Sequence, residues 1–384
     1  MADHRTAVSR TNDPSSFAYP TARERWPRIF NQIVEDISNA SKSLTNDQDR
    51  EIGEELKAKI TSLKDGMLNN ATLSLLSEDG DPDIPDYNAE LTAQGDPTWL
   101  NGPWLFIECY QYRVVYQIFR ESGSLFWQEY DMFASSKRNG LIGSKKGTLE
   151  LIRRFHALRS SLDEKAIDED TPKLLFEEMV QISLWGNATD LSLLGSVSVS
   201  QLDSLQGKKA RDAAKANVLA DDTAAAFALL SSLRQGGKVG EIHYVLDNAG
   251  FELLTDLVLA WFLLASGYCN KMILHGKRMP WFVSDVNEHD LKDLLAALSD
   301  PNFWPDLSDE EKADLNEAAG QWRVAFDDGK MEYRAHPFWT TGHSFGRMHI
   351  VAPKLYDQYV PLISLTITRP LNFSPSNPPF PHHH

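Results

Sequence analysis

The chain has 384 residues, of which 42% are hydrophobic and 10% aromatic, a composition that excludes an intrinsically disordered protein. Its formal charge of −16 excludes a general attraction to nucleic acid or to an anionic membrane, so a phosphate ligand requires a metal ion or a few placed cations. Cys109 and Cys269 are the only cysteines, too few for a disulfide framework or a structural zinc site.

The first residues lack the apolar segment of a signal peptide, and the longest apolar run, 257–265, is too short to cross a membrane. These features predict a cytoplasmic protein without a membrane partner. Residues 1–20 are interpreted as a flexible tail.

Helical patterns fill the first half of the chain, and we predict a helical domain over residues 21–195. Thr21 and Glu24 form a capping-box pattern ahead of a first apolar stripe, and a second stripe follows Asp47. The Asp-, Gly- and Pro-rich stretch 78–97 is expected to interrupt the helices. Further helices are predicted after Pro103 and from Thr171.

From about residue 220 the pattern alternates between helices and short β-type runs. A helix ending at Gly236-Gly237 precedes a strand at 242–246, and a helix at 252–265 follows it. Further strands are predicted at 272–274 and 281–284, before a helix after Glu288. The alternation predicts an α/β/α, Rossmann-like fold with a mostly parallel sheet over residues 196–360.

Oxygen-bearing side chains follow two of these predicted strands. Asp247 and Asn248 come directly after the first, and Asp285 comes directly after the run at 281–284. The carboxyl ends of parallel strands meet at one edge of a sheet, so we expect the three side chains to converge and to hold Mg²⁺ or Mn²⁺. The alternative interpretation is that they are helix caps or turn residues, which the spacing alone favours.

Several other polar residues are candidates for this site. Glu252 is placed to orient a water molecule or bind a substrate hydroxyl, and Asn187 to point into the cleft, although Asn187 is equally typical of a helix terminus. Lys277 is a candidate phosphate contact or a solvated lysine. His275 and His289 flank the site in sequence, but a metal site of hard oxygen ligands does not need them.

Motifs of other enzyme classes are missing from the sequence. No GxGxxG follows a strand, the GSKKG segment lacks P-loop spacing, and no nucleophile elbow surrounds a serine or cysteine. Metal-assisted hydrolysis is the chemistry that remains.

Three segments together resemble the damage-control phosphatase family, in its sugar-phosphate branch, whose members once carried the name of carboxyl methyltransferases. They are SLWGNATDLS at 183–192, LDNAGFELLTDLVLA at 246–260 and HGKRMPWFVSDV at 275–286. The resemblance implies hydrolysis of sugar phosphates such as fructose phosphates, without nucleic-acid or membrane partners. It implies a metal, Mn²⁺ first and Ni²⁺, Co²⁺ or Mg²⁺ as alternatives, on Asp247, Asn248 and Asp285, which are also the catalytic set. Substrate contacts are implied for Asp247, Asn248, Glu252 and Asn187.

The end of the chain departs from the family pattern. Family members continue into a Gly-Asp-Leu-Asn-Tyr-Arg-Lys segment and an Arg-Thr-x-Lys motif, whereas residues 361–384 form a Pro-rich tail. We therefore expect an incomplete catalytic domain with impaired hydrolysis. Two other functions stay open: an S-adenosylmethionine-dependent protein carboxyl methyltransferase, and a non-catalytic binding protein that retains the fold.

Overall fold

The computed structural model describes residues 8–163, 171–186, 218 and 220–359. Asn187, the predicted domain boundary at residue 195 and the atypical tail at 361–384 lie outside these residues. In the part of the chain that is described, no helix is both long enough and apolar enough to span a membrane.

The first helices form a packed pair. Helix α1 spans Trp26–Ser43 and continues without a break from helical turns at Ala18–Pro20 and Thr21–Arg25. The predicted capping box is therefore wrong, because the helix has already begun and the Thr21 hydroxyl donates to the Phe17 carbonyl at 2.8 Å. Helix α2, Asp47–Leu68, packs on α1.

The helices predicted after Pro103, from Thr171 and after Glu288 are present, together with elements that were not predicted. One of these, the helix α3, lies inside the stretch 78–97 that was expected to interrupt the helices. The later helices are α3 Ile84–Ala93, α4 Trp104–Arg120, α5 Ala134–Gly143, α6 Lys145–Asp163, α7 Thr171–Gly186 and α8 Thr223–Gln235. They are followed by β1 Glu241–Val245, α9 Phe251–Ala265, β2 Lys271–Gly276, α10 Glu288–Ser299, α11 Asp309–Asp327, β3 Met331–Ala335 and α12 Pro353–Tyr359.

The described strands form one parallel sheet in the order β1-β2-β3. In its register, Val245 lies beside His275, and His275 beside Arg334. Helices α9, α10 and α11 connect the strands, so the chain is a helix-rich α/β protein with a parallel sheet, as predicted.

The predicted strand at 281–284 is wrong. These residues form a turn in which Phe282 and Val283 have φ angles of 46° and 75°. Such values are strained for an aromatic and a β-branched residue, although both have high strand propensity. Tertiary packing overrides that propensity, because Trp281 and Val283 are buried among the N-terminal helices.

Two large apolar cores flank this turn. The N-terminal core contains side chains of α1 to α4 together with Met279, Trp281 and Val283. The sheet core is formed by β1 and β2 with α6, α7, α9, α10 and α11. The segment 277–287, here called the β2 loop, thus begins at the sheet and inserts its apolar side chains into the N-terminal core.

A third, small apolar cluster lies against α12. It contains Phe338 and Trp339, whereas Phe345 is half exposed. In the sheet core, Trp261 packs edge-on against Phe155 with the ring centroids 4.8 Å apart.

Candidate metal centre

The turn after β1 brings three polar residues to the start of α9. Asp247 and Asn248 follow the strand directly, and Gly250 precedes the helix with a φ of 76°, which an L side chain rarely adopts. Glu252 lies in the first helical turn and is fully buried. The Asn248 amide donates from Nδ2 to Glu252 Oε2 at 2.8 Å, so the side chain of Asn248 is held from the helix.

The β2 loop places Asp285 beside this turn. Asn248 and Asp285 form an antiparallel bridge, in which the backbone N–H of Val286 donates to the Asp247 carbonyl at 2.8 Å. The Ser284 hydroxyl donates to Asn248 Oδ1 at 2.6 Å. Asn248 and Asp285 are therefore adjacent at the carboxyl end of the sheet, although a turn rather than a strand brings Asp285 there.

Lys277 is buried at this point instead of being solvated. Its Nζ lies 3.1 Å from Asp285 Oδ2, and only 12% of its side chain is exposed. Burial lowers the pKa of Lys277, but the nearby Asp285 and Asp247 carboxylates raise it, and the net shift is above the ordinary value. Lys277 therefore carries a positive charge among the predicted metal ligands.

A second buried carboxyl lies deeper in the same region. Asp256 Oδ1 accepts hydrogen bonds from the Ser183 and Tyr244 hydroxyls, both at 2.8 Å, and the two hydroxyls are 2.7 Å apart. Burial raises the pKa of Asp256 to about 8, against the lowering effect of the two hydroxyls and with a further increase from Asp247. At neutral pH Asp256 is thus a protonated, uncharged group that ties α7 to β1 and α9.

Helix α7 ends against the start of α9. A Cβ added at Gly186 would meet the Thr255 hydroxyl and would lie 3.2 Å from Glu252 Cα. Only glycine fits there without movement, so the end of the described α7 contacts the helix that carries Glu252. The predicted role of the next residue, Asn187, stays a prediction.

A buried ion network holds the beginning of the β2 loop. Arg113 of α4 is fully buried and pairs with Asp79 and Asp83, each at 2.9 Å. Arg278 pairs with Asp81 at 2.6 Å and with Asp83 at 2.9 Å. The residue that follows Lys277 is thereby anchored to the N-terminal helices.

A second network holds the end of the loop. Lys137 of α5 is buried between Asp131 at 2.9 Å and Asp290 at 2.8 Å. The Asn287 side chain caps α10 and also donates to Asp131 at 2.9 Å. Both ends of the loop that carries Asp285 are therefore fixed by charged groups of the N-terminal helices.

The histidines near the site do not join it. His275 is buried, and its Nε2 lies 2.9 Å from Nδ1 of His243 on the neighbouring strand. Burial, with His243 as the next contribution, lowers the pKa of His275 to about 3, so the ring is neutral. His289 is exposed on α10.

The residue types at this edge are those that a hard divalent cation prefers. Asp247, Asn248 and Asp285 carry carboxylate and amide oxygens, and the charged Lys277 shows that this point of the fold stabilises a cation. No group of three His, Cys, Asp or Glu side chains suited to a metal occurs among the residues that the structure covers. The set has only two carboxylates with one amide, so such an ion would keep positions for water or substrate oxygens.

The family model described as the Damage-control phosphatase ARMT1-like domain matches residues 21–367. The chain belongs to the damage-control phosphatase family. This membership assigns it to the phosphatases, a class of hydrolases, and agrees with an oxygen-lined site at the carboxyl end of a parallel sheet.

Individual relatives align along most of their length. The Damage-control phosphatase ARMT1 of Mus musculus is 34% identical over 369 residues, which cover 91% of this chain and 79% of the relative. The protein of that name from Homo sapiens is 32% identical over 363 residues, covering 90% and 78%. A solved DUF89 family protein from Pyrococcus horikoshii aligns over 88% of this chain and 79% of its own with 13% identity and a TM-score of 0.42.

Sequence reasoning missed several residues that shape the site of this damage-control phosphatase family member. Glu108 and Arg113 of α4 are both fully buried, and Glu108 pairs with Arg25 at 2.5 Å. Asp256 was also missed, although one acid in the otherwise apolar helix LLTDLVLAWF is a recognisable signal of a buried polar contact.

Proposed function

We propose that this chain is a divalent-metal-dependent phosphatase that hydrolyses phosphate monoesters of small sugars, such as fructose 1-phosphate and fructose 6-phosphate, in metabolite damage control. The observation that carries the proposal is the adjacency of Asn248 and Asp285 at the carboxyl end of the sheet, where open α/β proteins bind ligands. Family membership supports the phosphatase chemistry.

Asp247, Asn248 and Asp285 would hold the metal, with Mn²⁺ as the first choice and Ni²⁺, Co²⁺ or Mg²⁺ as alternatives. When bound, such an ion neutralises phosphate charge and lowers the pKa of a bound water. The two hydrogen bonds of Asn248 support its role as a ligand. Ser284 donates to Oδ1 and Glu252 accepts from Nδ2, so the orientation of the amide oxygen is fixed. Glu252 thereby positions a ligand, and its contact with a substrate hydroxyl stays a prediction.

The test is release of inorganic phosphate by purified protein after the metal has been removed with a chelator. We expect no release from fructose 1-phosphate or fructose 6-phosphate until Mn²⁺, Ni²⁺, Co²⁺ or Mg²⁺ is added. Asp247→Asn and Asp285→Asn should each lower the metal-restored rate by at least about 100-fold, because each removes a ligand charge. Asp293→Asn, at an exposed acid of α10, is the matched control and should retain the wild-type rate.

Three results would contradict the proposal. Release that is indifferent to chelation would remove the metal from the reaction. Methyl transfer from S-adenosylmethionine that persists without metal would support the methyltransferase alternative. Saturable metal binding without turnover of any sugar phosphate would support a non-catalytic binding protein.

A further inference from the structure

We propose that Lys277 binds the phosphate group of the substrate beside the metal, an inference that rests on the proposed function above. Lys277 lies in the site because it directly follows Gly276, the last residue of β2. Its backbone is held there by its N–H, which donates to the Val286 carbonyl at 2.7 Å. Its ammonium group is directed to Asp285 at 3.1 Å.

The acidic surroundings favour such a cation. Asp247, Glu252 and Asp285 are carboxyl side chains at this edge of the sheet, and Lys277 is a buried cation that lies against one of them, with its Nζ 3.1 Å from Asp285 Oδ2. Carboxylates in a buried site would repel a phosphate monoester dianion, and a cation beside the metal offsets that repulsion.

Two neighbouring buried cations form ion pairs with acids outside the proposed metal site. Arg278 pairs with Asp81 and Asp83, and Lys137 pairs with Asp131 and Asp290. Lys277 instead contacts a proposed metal ligand. A lysine ammonium has three N–H donors and the contact with Asp285 uses one, so a phosphate oxygen next to the metal can accept another.

Lys277 lies close to the packed helix α4. There the Cys109 thiol is buried, and its pKa is raised well above the ordinary value, first by burial and then by the Glu108 and Asp285 carboxylates. A charge-assisted hydrogen bond is stronger in such surroundings than in water.

The experiment is calorimetric titration of inorganic phosphate into Mn²⁺-loaded protein, with the KM for fructose 1-phosphate measured in parallel. Lys277→Met should weaken phosphate binding and raise KM by about 10- to 100-fold, the value of a hydrogen bond to a charged group. Lys277→Arg should retain most of the affinity because it keeps the charge. Lys292→Met, at an exposed lysine of α10, is the control and should bind phosphate normally.

The affinity of the Lys277 variants for Mn²⁺ shows whether Lys277 binds the substrate or only maintains the structure of the site. Mn²⁺ should bind Lys277→Met at least as tightly as the wild type, since the lysine no longer competes for Asp285. Lys277→Gln, which can still hydrogen-bond Asp285, checks the result if the methionine variant does not fold. Wild-type phosphate affinity in the neutral variants, or parallel loss of Mn²⁺ and phosphate binding, would overturn the proposal.

The same data distinguish this proposal from the proposed function. If the wild type binds phosphate through Lys277 but releases none from sugar phosphates, the proposed function fails while the assignment of Lys277 stands. If the neutral variants hydrolyse sugar phosphates with the wild-type KM, the assignment fails while the proposed function stands.

Discussion

The turn after β1 and the β2 loop both deliver side chains to the site, but different interactions hold them there. The turn leads into α9, most of whose buried side chains are apolar, and one of its two buried acids, Asp256, is neutralised by a proton among hydroxyl groups. The β2 loop has strained φ angles at Phe282 and Val283 and is anchored by cations paired with acids. The turn beside one core is held by packing and by the hydrogen bonds of Asn248, whereas the loop between two cores depends on charge pairs.

The largest effect should come from removing the buried arginine that organises the first anchor. Arg113→Met leaves Asp79 and Asp83 buried without that partner, which typically costs about 3–5 kcal/mol. Denaturant unfolding measures the loss. Arg120→Met, at the exposed end of the same helix, should change the unfolding free energy by less than about 0.5 kcal/mol. Equal effects of the two substitutions would show that the charge network does not hold the loop.

The next largest effect should come from the protonated acid Asp256 in α9, the helix that follows the turn after β1. The pKa of Asp256 is raised to about 8 from an ordinary value of 3.8, so the folded state binds one more proton than the unfolded state between these values. The unfolding free energy should therefore fall as pH rises through this window, by up to about 1.4 kcal/mol per unit.

Asp256→Asn, which replaces the protonated acid with a neutral group of similar shape, should flatten this pH dependence. The unfolding free energies of both proteins are measured at about pH 5 and about pH 8. Relative to the wild type, the variant should be more stable at the higher pH than at the lower one. Parallel pH profiles would mean that Asp256 is ionised in the folded protein.

A smaller effect is expected from the backbone of the turn after β1. Gly250 has φ 76° and ψ −127°, a region open essentially to glycine, so Gly250→Ala should cost about 1–3 kcal/mol. Gly320→Ala is the matched control: Gly320 lies inside α11 with open space at its Cβ position, and the substitution should stabilise by about 0.5–1 kcal/mol. Thermal unfolding of both variants checks the sign of each change, and a stabilising Gly250→Ala would contradict the strained turn.

Much of the turn after β1 could be predicted from the sequence because its determinants are local. The strand at 242–246, the helix after it and the acids between them follow from hydrophobic pattern and position, and the structure has them within one or two residues. Asn248 lies beside Asp285 as expected, but the strand at 281–284 on which that expectation rested is a turn.

The β2 loop was less predictable because its determinants are distant in sequence. Trp281, Phe282 and Val283 have strand propensity, and only their burial among the N-terminal helices makes them a turn. The acids of the DGDPD segment have the composition of a solvated turn, and nothing local indicates that Arg113 and Arg278 bind them. For the same reason the sequence favoured a solvated Lys277 over a phosphate contact, whereas the side chain is buried against Asp285.

The most direct test of a metal centre shared by the turn after β1 and the β2 loop is titration of metal-free protein with Mn²⁺. Electron paramagnetic resonance measures the fraction of Mn²⁺ that is bound. We expect one bound Mn²⁺ per chain in the wild type and in Asp293→Asn. Asp247→Asn and Asp285→Asn should each weaken binding by at least about 10- to 100-fold, because the two segments share one ion. Undiminished Mn²⁺ binding in both site variants would contradict the claim that the turn after β1 and the β2 loop together form a metal centre.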